Sequence, residues 1–257
     1  MIEKDVWNRR IVVVATDVEI DGLEHDSEGI NLLNNDQVMI LPISEANNFN
    51  SKFDLLGGLR IEPGMILVMS PIDDNTYVEI TEARTYLAID KALKIVRFFT
   101  LLGATSIKIT EIKLVDLSSN EELTIGGGVE GHTTGSLKVS KAMVDRLKNE
   151  IRINSTSLGG KPLFDKAEKL LKENKLNSDP LLSNTFKMVK DYGDAKRLKT
   201  LNKHISLTQS MQNTFNLVSK INFPVGMVDL GYKSTTRSKL EIYMGIEVNF
   251  QENIDGL

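Results

Sequence analysis

Cysteine is absent from all 257 residues, which excludes disulfides, thiolate metal sites, thiol nucleophiles and cysteine-anchored lipids together and fits a reducing, cytoplasmic setting. Proline is scarce at 6 residues, so the chain is neither a collagen-like repeat nor a proline-rich linker. Histidine is rarer still, and His25, His132 and His204 lie too far apart in sequence to outline an imidazole metal site or a Ser-His-Asp arrangement. No apolar run approaches the roughly 18 residues of a membrane-spanning helix. The segment Met1 to Trp7 lacks a basic stretch followed by an apolar one, so no secretory signal is expected there.

What the chain does contain is an ordinary globular balance, 41% hydrophobic and 26% charged, enough to bury a core without staples. The charge is unevenly placed. Residues 1 to 130 carry 22 Asp/Glu against 11 Lys/Arg, and residues 131 to 257 carry 13 against 20, so a net of −4 hides an acidic front and a basic back. Such asymmetry points to an anionic partner or to complementary docking.

Periodicity predicts an α+β fold. The strand-rich N-terminal half offers Ile11 to Ala15, Gln37 to Ile43, Met65 to Met69 and Tyr77 to Ile80, separated by Asp, Asn, Gly and Pro clusters. From Glu82 to Leu102 the apolar spacing becomes helical and wide, the pattern of one buried central helix that stops at Gly103. Ile107, Ile109, Ile112, Leu114, Leu123 and Ile125 then describe a hairpin about a Ser118-Ser119-Asn120 turn, with a phase slip at Thr110-Glu111 that signals a bulge. A helical middle is expected over about 138–221, including a helix opened by Asp179-Pro180 and a further helix or pair from Ala195 to Ile221. Strict alternation from Leu240 to Phe250 marks a strand with one buried face. Val225 to Tyr232 is its expected partner, giving a C-terminal antiparallel hairpin over about 225–250 that joins the sheet. The expected organisation is a single α+β domain over 1–257, subdivided into an acidic strand-rich part, 1–130, and a basic helical part, 131–257.

Two motifs come close to known chemistry. Asp17, Glu19, Asp21 and Gly22, followed by Glu28, match the spacing of a calcium loop, where hard oxygen ligands sit at positions 1, 3, 5 and 12 around a turning glycine. Glu at the third position, charged Glu24 at the eighth and a preceding strand instead of a helix all count against it. An acidic, solvated hairpin loop is the expectation, with calcium the one cofactor the sequence suggests. Gly126 to Thr133 has the spacing of a phosphate loop, but His132 stands where the mechanism needs lysine and Thr134-Gly135 delays the helix.

The basic signal is broader. Residues 161–203 hold 11 Lys/Arg against 6 Asp/Glu, and Lys187, Lys190, Lys196, Arg197, Lys199 and Lys203 are the candidate anion- or partner-binding residues. With one arginine and aromatics spaced like core anchors, the stretch resembles a protein-binding or membrane-facing surface more than a nucleic-acid platform. The leading expectation is therefore a non-catalytic binding or effector protein whose basic half meets an anionic partner, another protein or a second copy. A membrane-active, pore-forming effector is the alternative, because Leu240 to Phe250 matches the roughly 9 to 11 residues of a membrane β-strand. An enzyme with a dispersed Asp/Glu/Lys site is the third.

Overall fold

Five consecutive apolar residues form β1 (Ile11–Ala15), and every one is buried, as befits a strand covered on both faces. The computed structural model describes residues 9–125, 133–134, 140–151, 154–156, 160–191, 200–224, 226–228 and 231–250. After β1 the chain turns into helix. The Thr16 hydroxyl accepts the Glu19 amide, and the Glu19 carboxylate accepts the Thr16 amide at 2.7 Å. This reciprocal cap starts α1 (Asp17–Leu23). Asp26 accepts the Gly29 amide at 2.9 Å and starts α2 (Ser27–Leu33). Next come β2 (Val38–Pro42), α3 (Ala46–Asn50), β3 (Asp54–Leu55), β4 (Ile66–Ser70) and β5 (Asp73–Glu79). The strands make a five-stranded sheet in the order β2-β1-β4-β5-β3. β2 runs parallel to β1 and β4 antiparallel to it.

A long helix, α4 (Ala83–Leu101), follows. Gly103, at φ +87°, stops it in the left-handed region, where a Cβ would also lie 2.4 Å from the Gly160 carbonyl oxygen. β6 (Ala104–Asp116) and β7 (Glu121–Ile125) form the hairpin, with β8 (Thr133–Thr134) paired to β7. Then come α5 (Lys141–Ile151), β9 (Asn154–Thr156), α6 (Phe164–Glu173), α7 (Pro180–Asp191) and β10 (Thr200–Ser206). α8 (Gln212–Ser219), α9 (Gly231–Arg237) and β11 (Leu240–Phe250) end the chain's regular structure. The second sheet runs β10-β11-β6-β7-β8, with β9 also paired to β6.

These elements fall into two compact units, Met1–Leu87 with Ser210–Ser238, and Ala88–Gln209 with Lys239–Leu257. In the first, one face of the sheet buries Val12, Val14, Leu67 and Tyr77 with Phe49 and Phe53. The Phe49 and Phe53 rings each meet Tyr77 edge-on at 5.1 Å. Its other face buries Ile11, Val13, Val68 and Val78 under Leu23, Leu32, Phe215 and Val218. Buried Arg84 lies 4.2 Å above the Phe215 ring and donates to the carbonyls of Thr235 and Ser238, at the C-terminal end of α9.

In the second unit β6, β10 and β11 turn Ile107, Ile112, Leu114, Leu201, Ile205, Ile242, Met244 and Val248 inward. The expected bulge is present: Gly245 pairs with Glu111 and Ile246 with Ile109, leaving Thr110 unopposed. Buried Lys91 donates to the Ser206 carbonyl at 2.7 Å and to Asp179 at 3.4 Å. Asp179 in turn accepts the Leu181 amide at 3.1 Å and caps α7 ahead of Pro180.

The α+β class, the buried central helix and a C-terminal strand joined antiparallel to the sheet are all present. Three local expectations are corrected. The Asp17 to Glu28 stretch is not a hairpin loop: it is α1 and α2, because the Thr16 and Asp26 caps satisfy the first amides of each helix. The partner of β11 is not Val225 to Tyr232, part of which is α9. It is β6 on one side and β10 on the other. Thr200–Ser206, expected to be helical, is therefore a strand. Its alternation is hidden by Lys203, which pairs with Ile246 between the buried Leu201 and Ile205 yet is exposed. An inward-phase lysine on a sheet's outermost strand opposes edge-to-edge pairing.

Lys91→Ala removes the cation from beside Asp179 and is expected to destabilise the protein by about 3 kcal/mol in urea denaturation. Lys91→Met, which keeps the apolar stem, should lose less. Equal losses would show that the cation and its oxygen partners alone set the site, with nothing contributed by the stem.

Candidate functional site

The contrast of charge persists between the compact units, though it is milder than between the two halves of the sequence. The first unit carries 17 Asp/Glu against 9 Lys/Arg, a net of −8, and the second 18 against 22, a net of +4.

Among the six sequence-predicted basic residues, Lys196, Arg197 and Lys199 lie outside the described residues, as does most of the Gly126 to Thr133 loop. The other three sit on two elements. Lys187 and Lys190 are on the exposed side of α7, and Lys203 is on β10. Lys190 is engaged within its own unit, 3.5 Å from Glu168 and 5.4 Å from the Phe186 ring centroid. Glu168 also accepts from Lys172 at 2.6 Å, and Lys169 pairs with Glu173 at 3.5 Å. The hydrogen bond and charge of Lys172, then those of Lys190, hold the Glu168 carboxyl below its usual range. The α6 surface is thus laced with alternating charge. Lys187 and Lys203 have no carboxylate partner among the described residues.

The four candidate calcium ligands divide between two helices. Asp17 and Asp21 are one turn apart on the exposed side of α1, Glu19 turns back to cap Thr16, and Glu28 lies on α2. They are not arranged as a calcium loop. No group of three or more His, Asp or Glu among the described residues is placed to hold a metal ion.

Glu19 has a second setting that spacing did not reveal. It lines an open cleft of about 580 Å³ in the first unit, together with Glu62, Glu79 and Glu82, and with Leu59, Met65, Met227 and Val228 among the apolar walls. Loop 59–65, the end of β5 and the segment before α9 bring these side chains together. Burial pushes the Glu79 carboxyl up, while hydrogen bonds from Thr81 act in the opposite direction. Its Oε2 accepts the Thr81 amide at 2.8 Å. Four carboxylates over an apolar floor would attract a cationic group with an apolar body.

The second unit gathers another polar group from distant segments. His204 on β10 reaches across Gly245 of β11 to Glu111 of β6, with Nε2 and Oε1 2.5 Å apart. Only glycine fits beneath: a Cβ at 245 would lie 2.6 Å from Thr110 Oγ1 and 2.8 Å from Glu111 Cγ. Lys113 lies 3.8 Å from the same Glu111 oxygen. Nearby on β11 Tyr243 donates to Glu241, and that bond pushes the phenol up to about 12. A hydroxyl held protonated in this way is not an activated base. No sequence motif marked this group, since its members meet only through cross-strand register.

A raised Glu79 pKa binds a proton more readily folded than unfolded. Its favourable contribution is present below the ordinary carboxylate range, at about pH 4, and is lost as pH rises through the folded value. Glu79→Gln should therefore gain stability relative to the unmodified protein as thermal melts move from about pH 4 to pH 7. A pH-independent difference would show that the carboxyl does not titrate in this setting. Comparison with protein-family models, curated proteins and solved structures finds no match to this chain.

Proposed function

We propose that this chain is a non-catalytic binding or effector protein that acts through charge-complementary recognition, its basic part turned to an anionic partner. The observation that carries this reading is the division of charge between compact units, −8 against +4. Charge scattered for solubility alone has no reason to leave one folded unit acidic and the other basic. Two features support it. Lys187 and Lys203 are exposed cations without carboxylate partners among the described residues. The glutamate cleft lies within the acidic unit and answers to the opposite charge. An anionic protein surface fits better than a membrane-spanning role for a helix, since none among the described residues is long and apolar enough to cross a bilayer.

Fluorescently labelled polyglutamate and polylysine are suitable probes of the two units. Both should bind at about 50 mM salt and lose at least about tenfold in affinity near 500 mM, where screening shortens the Debye length to a few ångströms. Lys187→Glu with Lys203→Glu should weaken polyglutamate and leave polylysine unaffected. Failure of both probes to bind at low salt would overturn the reading.

A further inference from the structure

We propose that the partner is a second copy of this chain, whose α1 face around Val18 receives the α7 face around Lys187 and Met188. This inference rests on the recognition reading above and names its partner. On α7 the residues Leu182, Thr185, Phe186 and Val189 are buried, so Asn184, Lys187, Met188 and Asp191 occupy the opposite, solvent side. Met188 is 46% exposed. Lys187 beside it has no carboxylate partner among the described residues, whereas Lys190, around the helix, is already held by Glu168. Asp191 ends the face.

α1 presents a counterpart of opposite sign. It buries Leu23 alone, and its other side carries Asp17, Val18, Asp21 and Gly22. Val18 is 81% exposed, more than any other large hydrophobic residue among those described. Asp17 and Asp21 flank it with no cationic partner among the described residues.

Each face is therefore an exposed hydrophobe beside charge that has no partner among the described residues: Asp17 and Asp21 flank Val18 on α1, and Lys187 adjoins Met188 on α7, with Asp191 one turn beyond it. Apolar contact between Val18 and Met188 with Lys187 set against Asp17 and Asp21 would satisfy both at once. Because the faces differ, each copy both offers an α7 face and receives one on its α1 face. Two short helix faces bury less than a standard stable interface, so the association is weak and salt-sensitive.

The chain itself offers a probe that leaves the fold intact. A Cβ built on Gly22 meets nothing within 4 Å, and replacing a helical glycine favours the helix. Gly22→Lys therefore places a cation on the α1 face without disturbing the core. Sedimentation velocity on the full chain at about 50 mM salt should show concentration-dependent association that disappears near 500 mM. Gly22→Lys, Asp21→Lys and Lys187→Glu should each weaken it about tenfold, and the charge swap Asp21→Lys with Lys187→Glu should restore most of the loss. A melting curve for each variant is the check that it is folded.

A monomer at every concentration and salt would overturn the proposal. So would variants that associate like the unmodified chain, or a swap that restores nothing. If the chain is monomeric but still binds polyglutamate, this inference fails while the recognition reading stands. If it neither associates nor binds either probe, both fail.

Discussion

An ammonium group buried inside an apolar helix face must find oxygen partners, and in the second unit Lys91 finds two. Its side chain is 7% exposed, and burial pulls its pKa down against the opposing pull of Asp179. The Ser206 carbonyl and the Asp179 carboxylate complete its shell. One closes β10 and the other opens α7, so a single cation ties the end of a strand to the start of a helix. Asp179 serves twice, since its other oxygen caps the amides of α7. Loss of the cation would leave a half-buried carboxylate at the junction on which both elements depend. The first unit meets the same demand with Arg84, whose guanidinium lies on Phe215 and binds the carbonyls that end α9.

The path of the chain explains why the charge contrast is milder between the units than between the halves of the sequence. It builds most of the first unit, crosses into the second, returns for Ser210–Ser238 and ends in the second again. The acidic stretches around Asp17 to Glu28, Glu62 and Glu79 remain in one unit, while the Lys-rich helices α6 and α7 belong to the other. Within the basic unit, ion pairs along α6 neutralise much of the apparent charge. The cations left for a partner are fewer than a count along the chain suggests.

Much of the architecture was legible where one face or both faces of an element are uniformly apolar. β1, α4, β11 and the Thr110 bulge all follow from the spacing of buried residues. Short elements were harder to read. α1 is seven residues long and buries one of them, so it has no apolar stripe. Its signal was the capping box from Thr16 to Glu19, which the carboxylate spacing of a cation loop obscured. β10 was concealed by Lys203 at an inward position, and α9 by a brief apolar alternation in Val225 to Leu230 that propensity alone cannot separate from a strand. The glutamate cleft and the His204-Glu111 pair were invisible, because their members come from distant segments, 93 residues apart in that pair and farther still from Glu19 to Met227.

By itself the sequence determined the α+β class, the absence of thiol chemistry and the segregation of charge, since each is a property of composition or of local period. Tertiary structure alone decided which strands flank β11, which carboxylates share a cleft and which lysines stay exposed with no carboxylate partner among the described residues. Those outcomes depend on register and on long-range contacts. A shift of one residue along a strand, or a single carboxylate from a neighbouring helix, reverses what a side chain faces without changing the local pattern.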